Sequence, residues 1–298
     1  PISCRLRKCG DYALVQQHES KMNGILERTL GILELLSQRG EPLELAAIAD
    51  QLDIPRSATH RLLADLVRCG YVRQTRDHGD YVLTTKLVSL GLSFLSNTGI
   101  VDVAQPLLDR LAEISGELVR LSVIDGQRLT WVARAQGARQ GLRYDPDMGS
   151  DARLSCSSSG IAWMSALSDE EALRLLGTQE IGSAEEFGPN APRTVQAVLA
   201  HVQAARERGY SITVETYTAG LNAMAAPVRL AGQPPLGVVS IAGPTVRFTE
   251  ARMESLAPEL LSFAAQLAAA SSASPFLSRV GRGAARAADS AAKPIYAA

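Results

Sequence analysis

The sequence predicts an α+β protein of two domains, an N-terminal winged helix-turn-helix and a larger domain in which helices alternate with strands. Three observations lead there. At 298 residues the chain is too long for one ordinary domain and long enough to bury two cores. From Ile25 to Leu83, three stretches of helical period precede two short strand-like runs around a polar turn. Beyond Glu117 strand-like runs are interleaved with helices that carry their own capping residues. A content of 46% apolar and 20% charged residues is that of a folded globular chain.

Taken in order, Ile25, Leu26, Leu30, Ile32, Leu33 and Leu36 recur at helical spacing, with Arg39-Gly40 as a stop. Leu45, Ile48, Ala49 and Leu52 mark a short second helix. It breaks at Asp53-Ile54-Pro55 and resumes as Arg56 to Arg68, with Pro55 suited to a first helical turn. Tyr71 to Gln74 and Tyr81 to Leu83 read as a hairpin around His78-Gly79-Asp80. Lys86 to Ser96 and Val101 to Ser115 are amphipathic helices separated by a hinge at Asn97-Thr98-Gly99. Strands follow at Leu118 to Val123, Leu129 to Arg134 and Gly141 to Tyr144. Ser168 to Glu171 has capping-box spacing, and Thr194 and Thr249 stand as caps of two longer helices, the first ending at Gly209 and the second near Ala270. Tyr210 to Glu215, Ala223 to Arg229 and Leu236 to Ala242 complete the strands. The expected organisation is a disordered extension over residues 1–21, a winged helix-turn-helix over 22–84, a linker helix and hinge over 85–100, a second domain over 101–272 and a disordered tail over 273–298.

Composition narrows the function. A net charge of −1 gives no general attraction for nucleic acid, so any DNA contact must come from a local basic patch. Four scattered cysteines give neither a disulfide framework nor zinc-type pairing with the four histidines, which fits a reducing cytoplasm and no metal or cofactor. The most apolar stretch, Leu260 to Ala270, falls short of the roughly 20 residues of a membrane span, and residues 1–20 lack the apolar region of a signal peptide.

In a helix-turn-helix the helices must pack closely, which needs a small residue such as Ala49 and apolar inner faces such as Ile48, Leu52, Ile54 and Leu62, with Thr59 turned inward. Arg56, Ser57, His60 and Arg61 then project outward near the start of the helix that enters a major groove. Arginine grips guanine bidentately, and serine and histidine bond to base edges or phosphate. Between Ile54 and Lys86, Arg56, Arg61, Arg68, Arg73, Arg76 and Lys86 outnumber Asp65, Asp77 and Asp80. Arg73 and Arg76 lie on the wing, where phosphate contacts would set register rather than sequence preference. A solvated basic helix face is the plain alternative for any one of these residues; the order of all the parts favours DNA.

Ile25-Leu26-Glu27-Arg28-Thr29-Leu30-Gly31-Ile32-Leu33, Leu45-Ala46-Ala47-Ile48-Ala49 and Ser57 to Leu63 resemble the IclR family of regulators. So do Gly70-Tyr71-Val72, Leu154 to Gly160, Gly209-Tyr210-Ser211, Ala225 to Val228 and Ser240 to Pro244, giving a likeness from about Asn23 to Ala270. The resemblance implies a GAF-like effector-binding domain, homodimers or dimers of dimers, and palindromic operator DNA. It places an effector pocket among Ser158, Ser159, Thr213, Ala223, Ser240 and Ala242, lined by Leu142 and Met148. Relatives that sense small keto acids tend to carry Asp, Cys and Ser where this chain has Thr213, Ala223 and Ala242, so a bulkier organic acid, aromatic acids included, is the expected effector. The stripe Val101, Val103, Leu107, Leu108 and Leu111 offers a dimer surface, with packing on its own domain as the alternative.

An enzyme is not expected. Cys156-Ser157-Ser158-Ser159-Gly160 lacks the first glycine of a nucleophile elbow and has no nearby histidine. His18, His60, His78 and His201 are isolated, and no phosphate loop occurs. A DNA-binding architectural or interaction protein without a sensing role is the remaining alternative, separated from a regulator by whether a ligand alters DNA affinity.

Overall fold

Residues 24–39, 41–75, 79–144, 151–182 and 186–271 are described by the computed structural model. The expected terminal extensions fall outside them. The chain divides into two compact units that part between Leu95 and Ser96.

The first unit holds α1 (Ile25–Arg39), α2 (Leu45–Gln51), α3 (Arg56–Arg68) and the antiparallel pair β1 (Val72–Gln74) and β2 (Tyr81–Leu83). Its core joins Ile32, Leu36, Ile48, Leu62, Leu63, Leu66, Val72 and Tyr81. Leu43 extends the hairpin by exchanging backbone hydrogen bonds with Tyr81. The turn from α2 to α3 passes through Asp53 at φ +49°, a left-handed conformation that a short polar side chain tolerates. Pro55 is the N-cap of α3 rather than its first helical residue. Thr59 is fully buried and its hydroxyl donates to the Pro55 carbonyl at 3.2 Å, which stitches α3 to the turn before it. Of the apolar residues expected to face inward on α1, Ile32 and Leu36 are buried, whereas Ile25, Leu26 and Leu30 lie exposed.

α4 (Lys86–Thr98) and α5 (Ile100–Ser115) meet at Gly99, whose φ of +63° only glycine adopts freely. The second unit is built on a five-stranded antiparallel sheet of order β4-β3-β7-β6-β5, from β3 (Leu118–Asp125), β4 (Arg128–Gln136), β5 (Ser211–Val214), β6 (Leu221–Val228) and β7 (Gly237–Pro244). The expected strand at Gly141 to Tyr144 is absent; that segment forms bends.

Both faces of this sheet are covered. On one, Val119, Leu121, Met224, Ala226, Val239 and Ile241 pack with α5 and α9 (Glu250–Ala270). Leu108 and Leu111 sit in that core and half-buried Leu107 packs against it, so this part of the α5 stripe serves its own unit, while Val103 stays half-buried. On the other, Ala225, Val238, Leu129 and Trp131 pack with α6 (Ser158–Ser165), α7 (Asp169–Leu176) and α8 (Val195–Arg208). The expected caps form: Ser168 and Glu171 make a reciprocal capping box, Thr194 accepts from Ala197 N, and Thr249 accepts from Arg252 N.

One ion pair fastens the end of the paired central strands β3 and β7. Arg247, in the loop before α9, grips the Glu117 carboxylate through Nε at 2.5 Å and Nη2 at 2.9 Å, and donates from Nη1 to the Leu142 carbonyl at 2.8 Å. Gly243 makes room for it, since a Cβ there would stand 2.5 Å from Glu117 Cδ. The pair is asymmetric: the Glu117 side chain is 5% exposed and that of Arg247 34%. Arg247→Met leaves a carboxylate buried without its partner and should destabilise the second unit by about 3 kcal/mol. Glu117→Gln should cost less, about 1–2 kcal/mol, because Arg247 can turn to water. Both tryptophans, Trp131 and Trp163, lie in this unit, so their fluorescence during urea unfolding reads it alone. Equal losses for the two variants would contradict the asymmetry.

Candidate functional site

In the first unit the amphipathic α3 sets the outer face. Thr59, Leu62, Leu63 and Leu66 are buried, which turns Arg56, Ser57, His60 and Arg61 to the surface, all four exposed. Arg56 lies 3.8 Å from Asp50, a long contact between two exposed groups that contributes little. Arg61 and Arg73, the latter on β1, are exposed and make no ion pair among the described residues. Two other members of the basic set are engaged elsewhere. Arg68 pairs with Asp65 at 2.9 Å, and Lys86 donates to the Cys69 carbonyl at 2.6 Å while covering the Tyr71 ring. Arg76 lies outside the described residues.

In the second unit a recess opens between the start of α6 and the sheet. It encloses about 20 Å³, and about 330 Å³ when counted out to open solvent. Ser157, Ser158 and Ser159 approach it from α6, Thr213 from β5, Leu221 and Ala223 from β6, Ala242 from β7, Arg120 from β3, Trp131 from β4, with Tyr217 beyond β5. Ser157 caps α6, accepting from Gly160 N at 3.0 Å and donating to the Arg153 carbonyl at 2.5 Å. Ser211 donates to the Ser158 carbonyl at 2.7 Å and so ties the helix start to β5. Thr213 donates to the Ala223 carbonyl at 3.2 Å.

Of the residues expected at the pocket, the structure brings together Ser158, Ser159, Thr213, Ala223 and Ala242. Ser240 is buried on the same sheet face, two residues before Ala242 and directly opposite Arg120, but is not part of the lining. Leu142 is exposed and outside the recess, where only its carbonyl is held, by Arg247. Met148 lies outside the described residues.

Sequence reasoning missed Arg120, Trp131, Tyr217 and Leu221. Arg120 is 6% exposed, and its guanidinium carbon stands 3.9 Å from the centre of the Trp131 ring. Among the described residues its Nε and Nη1 have no hydrogen-bond partner. Burial pushes its pKa below the usual arginine range, with neighbouring Arg134 acting in the same direction and Tyr144 and Tyr217 opposing. Cys156 is a poor nucleophile, because burial drives its thiol pKa up to about 12, although Ser155 and Arg153 pull the other way.

Comparison with known proteins agrees along most of the chain. The family model described as the bacterial transcriptional regulator IclR C-terminal region matches residues 92–269, and that of the IclR helix-turn-helix domain matches residues 25–76. The acetate operon repressor of Salmonella typhimurium strain LT2 is 29% identical over 232 residues, covering 78% of this chain and 84% of that protein. A transcriptional regulator from Rhodococcus sp. RHA1 is 26% identical with a TM-score of 0.67, over 83% of this chain and 97% of that one. An IclR homologue from Microbacterium hydrocarbonoxydans, solved in complex with 4-hydroxybenzoate, shares the fold at 20% identity and a TM-score of 0.70, over 84% of this chain and all of that one.

Gly160, in the first turn of α6 beside the recess, has no room for a side chain. A Cβ there would meet Leu154 Cα at 2.5 Å, the Leu154 carbonyl at 2.7 Å and the Arg153 carbonyl at 2.8 Å, all of them backbone. Gly160→Ala should therefore push α6 away from residues 153–154 and destabilise the second unit by about 1–3 kcal/mol in urea unfolding. A variant as stable as the parent would show that the start of α6 is not held this tightly.

Proposed function

The chain belongs to the IclR family of bacterial transcriptional regulators, and we propose that it reads operator DNA through the first turns of α3 and changes its grip when an organic acid enters the recess beside α6. The exposed set Arg56, Ser57, His60 and Arg61, presented by a helix whose opposite face is locked in the core, carries the reading. These groups suit base edges: arginine for guanine O6 and N7, serine and histidine for acceptors beside them. Arg73 on the wing suits phosphate.

One helix reads few base pairs, so useful specificity calls for two copies on a palindromic site. Exposed Val88, Leu90, Leu92 and Phe94 on α4 support self-association better than the α5 stripe does, of which Leu108 and Leu111 are buried in their own unit. The protein acts by binding rather than by catalysis. The shielded thiol of Cys156 supports this, as do relatives named as repressors. No helix among the described residues is long and apolar enough to cross a membrane, and a cytoplasmic site of action belongs to the same proposal.

The effector is an organic acid bulkier than a two- or three-carbon keto acid. Ala223 and Ala242 give the recess small apolar walls, and Ser157, Ser158 and Ser159 line its α6 side at a helix start, an end that favours an anion. The enclosed 20 Å³ is little more than one water needs, so entry requires side chains to move.

Titration of DNA from upstream of its own and neighbouring genes tests the DNA-binding face. Arg56→Ala and Arg61→Ala should each weaken the specific site by about 1–3 kcal/mol, with two chains bound per palindrome. Arg73→Ala should weaken specific and random DNA alike and lower the salt slope by about 1. Unchanged operator affinity in both α3 variants would remove α3 from the interface.

A further inference from the structure

Among the described residues, four buried side-chain atoms without a hydrogen-bond partner lie on one face of three neighbouring strands. They are Nε and Nη1 of Arg120 on β3, Nε1 of Trp131 on β4 and Oγ of Ser240 on β7. Arg120 stands directly across from Ser240 in the β3 and β7 register, and its guanidinium lies over the Trp131 ring. Arg120 and Trp131 line the recess, and Ser240, buried opposite Arg120, lies outside the lining. Buried polar atoms are seldom left unpaired, because each forfeits its hydrogen bonds to water. Finding four together, beside a recess, means that what satisfies them comes from outside the described residues.

The chemistry of the four selects the missing partner. The arginine and indole groups can only donate, and a serine hydroxyl can donate as well. An arginine keeps its proton inside proteins, so a full positive charge sits buried with the Trp131 and Tyr144 rings near it, at 3.9 and 5.9 Å from the ring centres, and no ion pair among the described residues. A cationic or donor-only ligand would leave the guanidinium and indole N–H groups as they stand, and could pair only with Ser240. A neutral acceptor would satisfy hydrogen bonds but not the charge. A carboxylate answers both needs, taking paired N–H groups from the guanidinium while an unsaturated body rests on the indole.

We propose that Arg120, with Trp131 and Ser240, is the carboxylate reader of the recess, and that it selects anionic over neutral ligands of the same shape. The inference rests on the effector reading above and assigns the charge to β3 rather than to the start of α6. Arg120 then has two positions: on the Trp131 ring when the recess is empty, and on the carboxylate when it is filled. Its displacement from the indole supplies part of the room that the enclosed volume lacks.

Calorimetry on the full chain with benzoate, 4-hydroxybenzoate and phenylacetate, each set against its amide, tests this directly. At least one acid should bind about 30-fold more tightly than its amide, and Arg120→Met should shrink that preference to about threefold or less. The same acid should change tryptophan fluorescence in the parent protein. Because Arg120→Met removes an uncompensated charge, its Tm should stay within about 2 °C of the parent or rise. A clear fall in Tm would instead mark Arg120 as a structural residue with a protein partner and overturn the proposal. So would equal binding of acid and amide, an undiminished preference in Arg120→Met, or no binding by any of the three acids. An acid that binds through Arg120 without altering operator affinity would uphold the reader while removing the regulatory role assigned to the recess.

Discussion

The second unit depends on a sheet that must be covered on both faces. Its central strands β3, β6 and β7 are buried almost throughout, so they can be neither exposed edges nor half-solvated strands. α5 and α9 cover one face and α6 with α8 the other, and the two faces differ in kind. The α9 face is apolar throughout its centre. The α6 face carries Ser122, Arg120, Ser240, Ser211 and Thr213, polar groups that a helix can cover only if each is given a partner. Ser122 donates to the Val238 carbonyl and Ser211 to that of Ser158. Arg120 and Ser240 are the exceptions, and they stand where α6 does not close the layer. The recess is thus the unfinished part of the α6 face of the sheet.

The DNA-reading unit solves a simpler problem with the same means. A single small core fixes α3 so that one side of it has no freedom to rotate, and the side chains on the other side inherit their direction. Recognition needs that rigidity, since a base contact depends on side chains held to a fraction of an ångström. Arg68 and Lys86 show other uses of basic residues here: Arg68 pairs within α3 with Asp65, and Lys86 ties the end of α3 to the start of α4, which leaves the groove-facing end to Arg56 and Arg61.

Much of this is legible in the sequence because it is local. Ser168 with Glu171, Thr194, Thr249 and the Asp53 to Pro55 break each report on residues within one helical turn, and the helices start and stop where those signals place them. The small-residue packing of the helix-turn-helix reads as well, through Ala49 and Thr59. What fails is non-local. The α5 stripe is equally suited to a partner chain or to its own sheet, and only the position of β3 and β4 decides. Gly141 to Tyr144 has strand-like composition but no neighbour to pair with. Arg120 is hidden for the same reason, since an arginine within Leu118 to Val123 reads as the outward residue of an ordinary strand. Nothing local says that both faces of that strand are covered, or that Trp131 and Ser240 lie beside it.

If the recess controls the DNA-reading unit, the two binding events are linked, and linkage is reciprocal. The direct measurement is the affinity of one acid for the free protein and for the protein saturated with operator DNA. The account predicts that the two affinities differ by at least about fivefold, and that the acid shifts operator affinity by that same factor. Identical acid affinity in the two forms would contradict it.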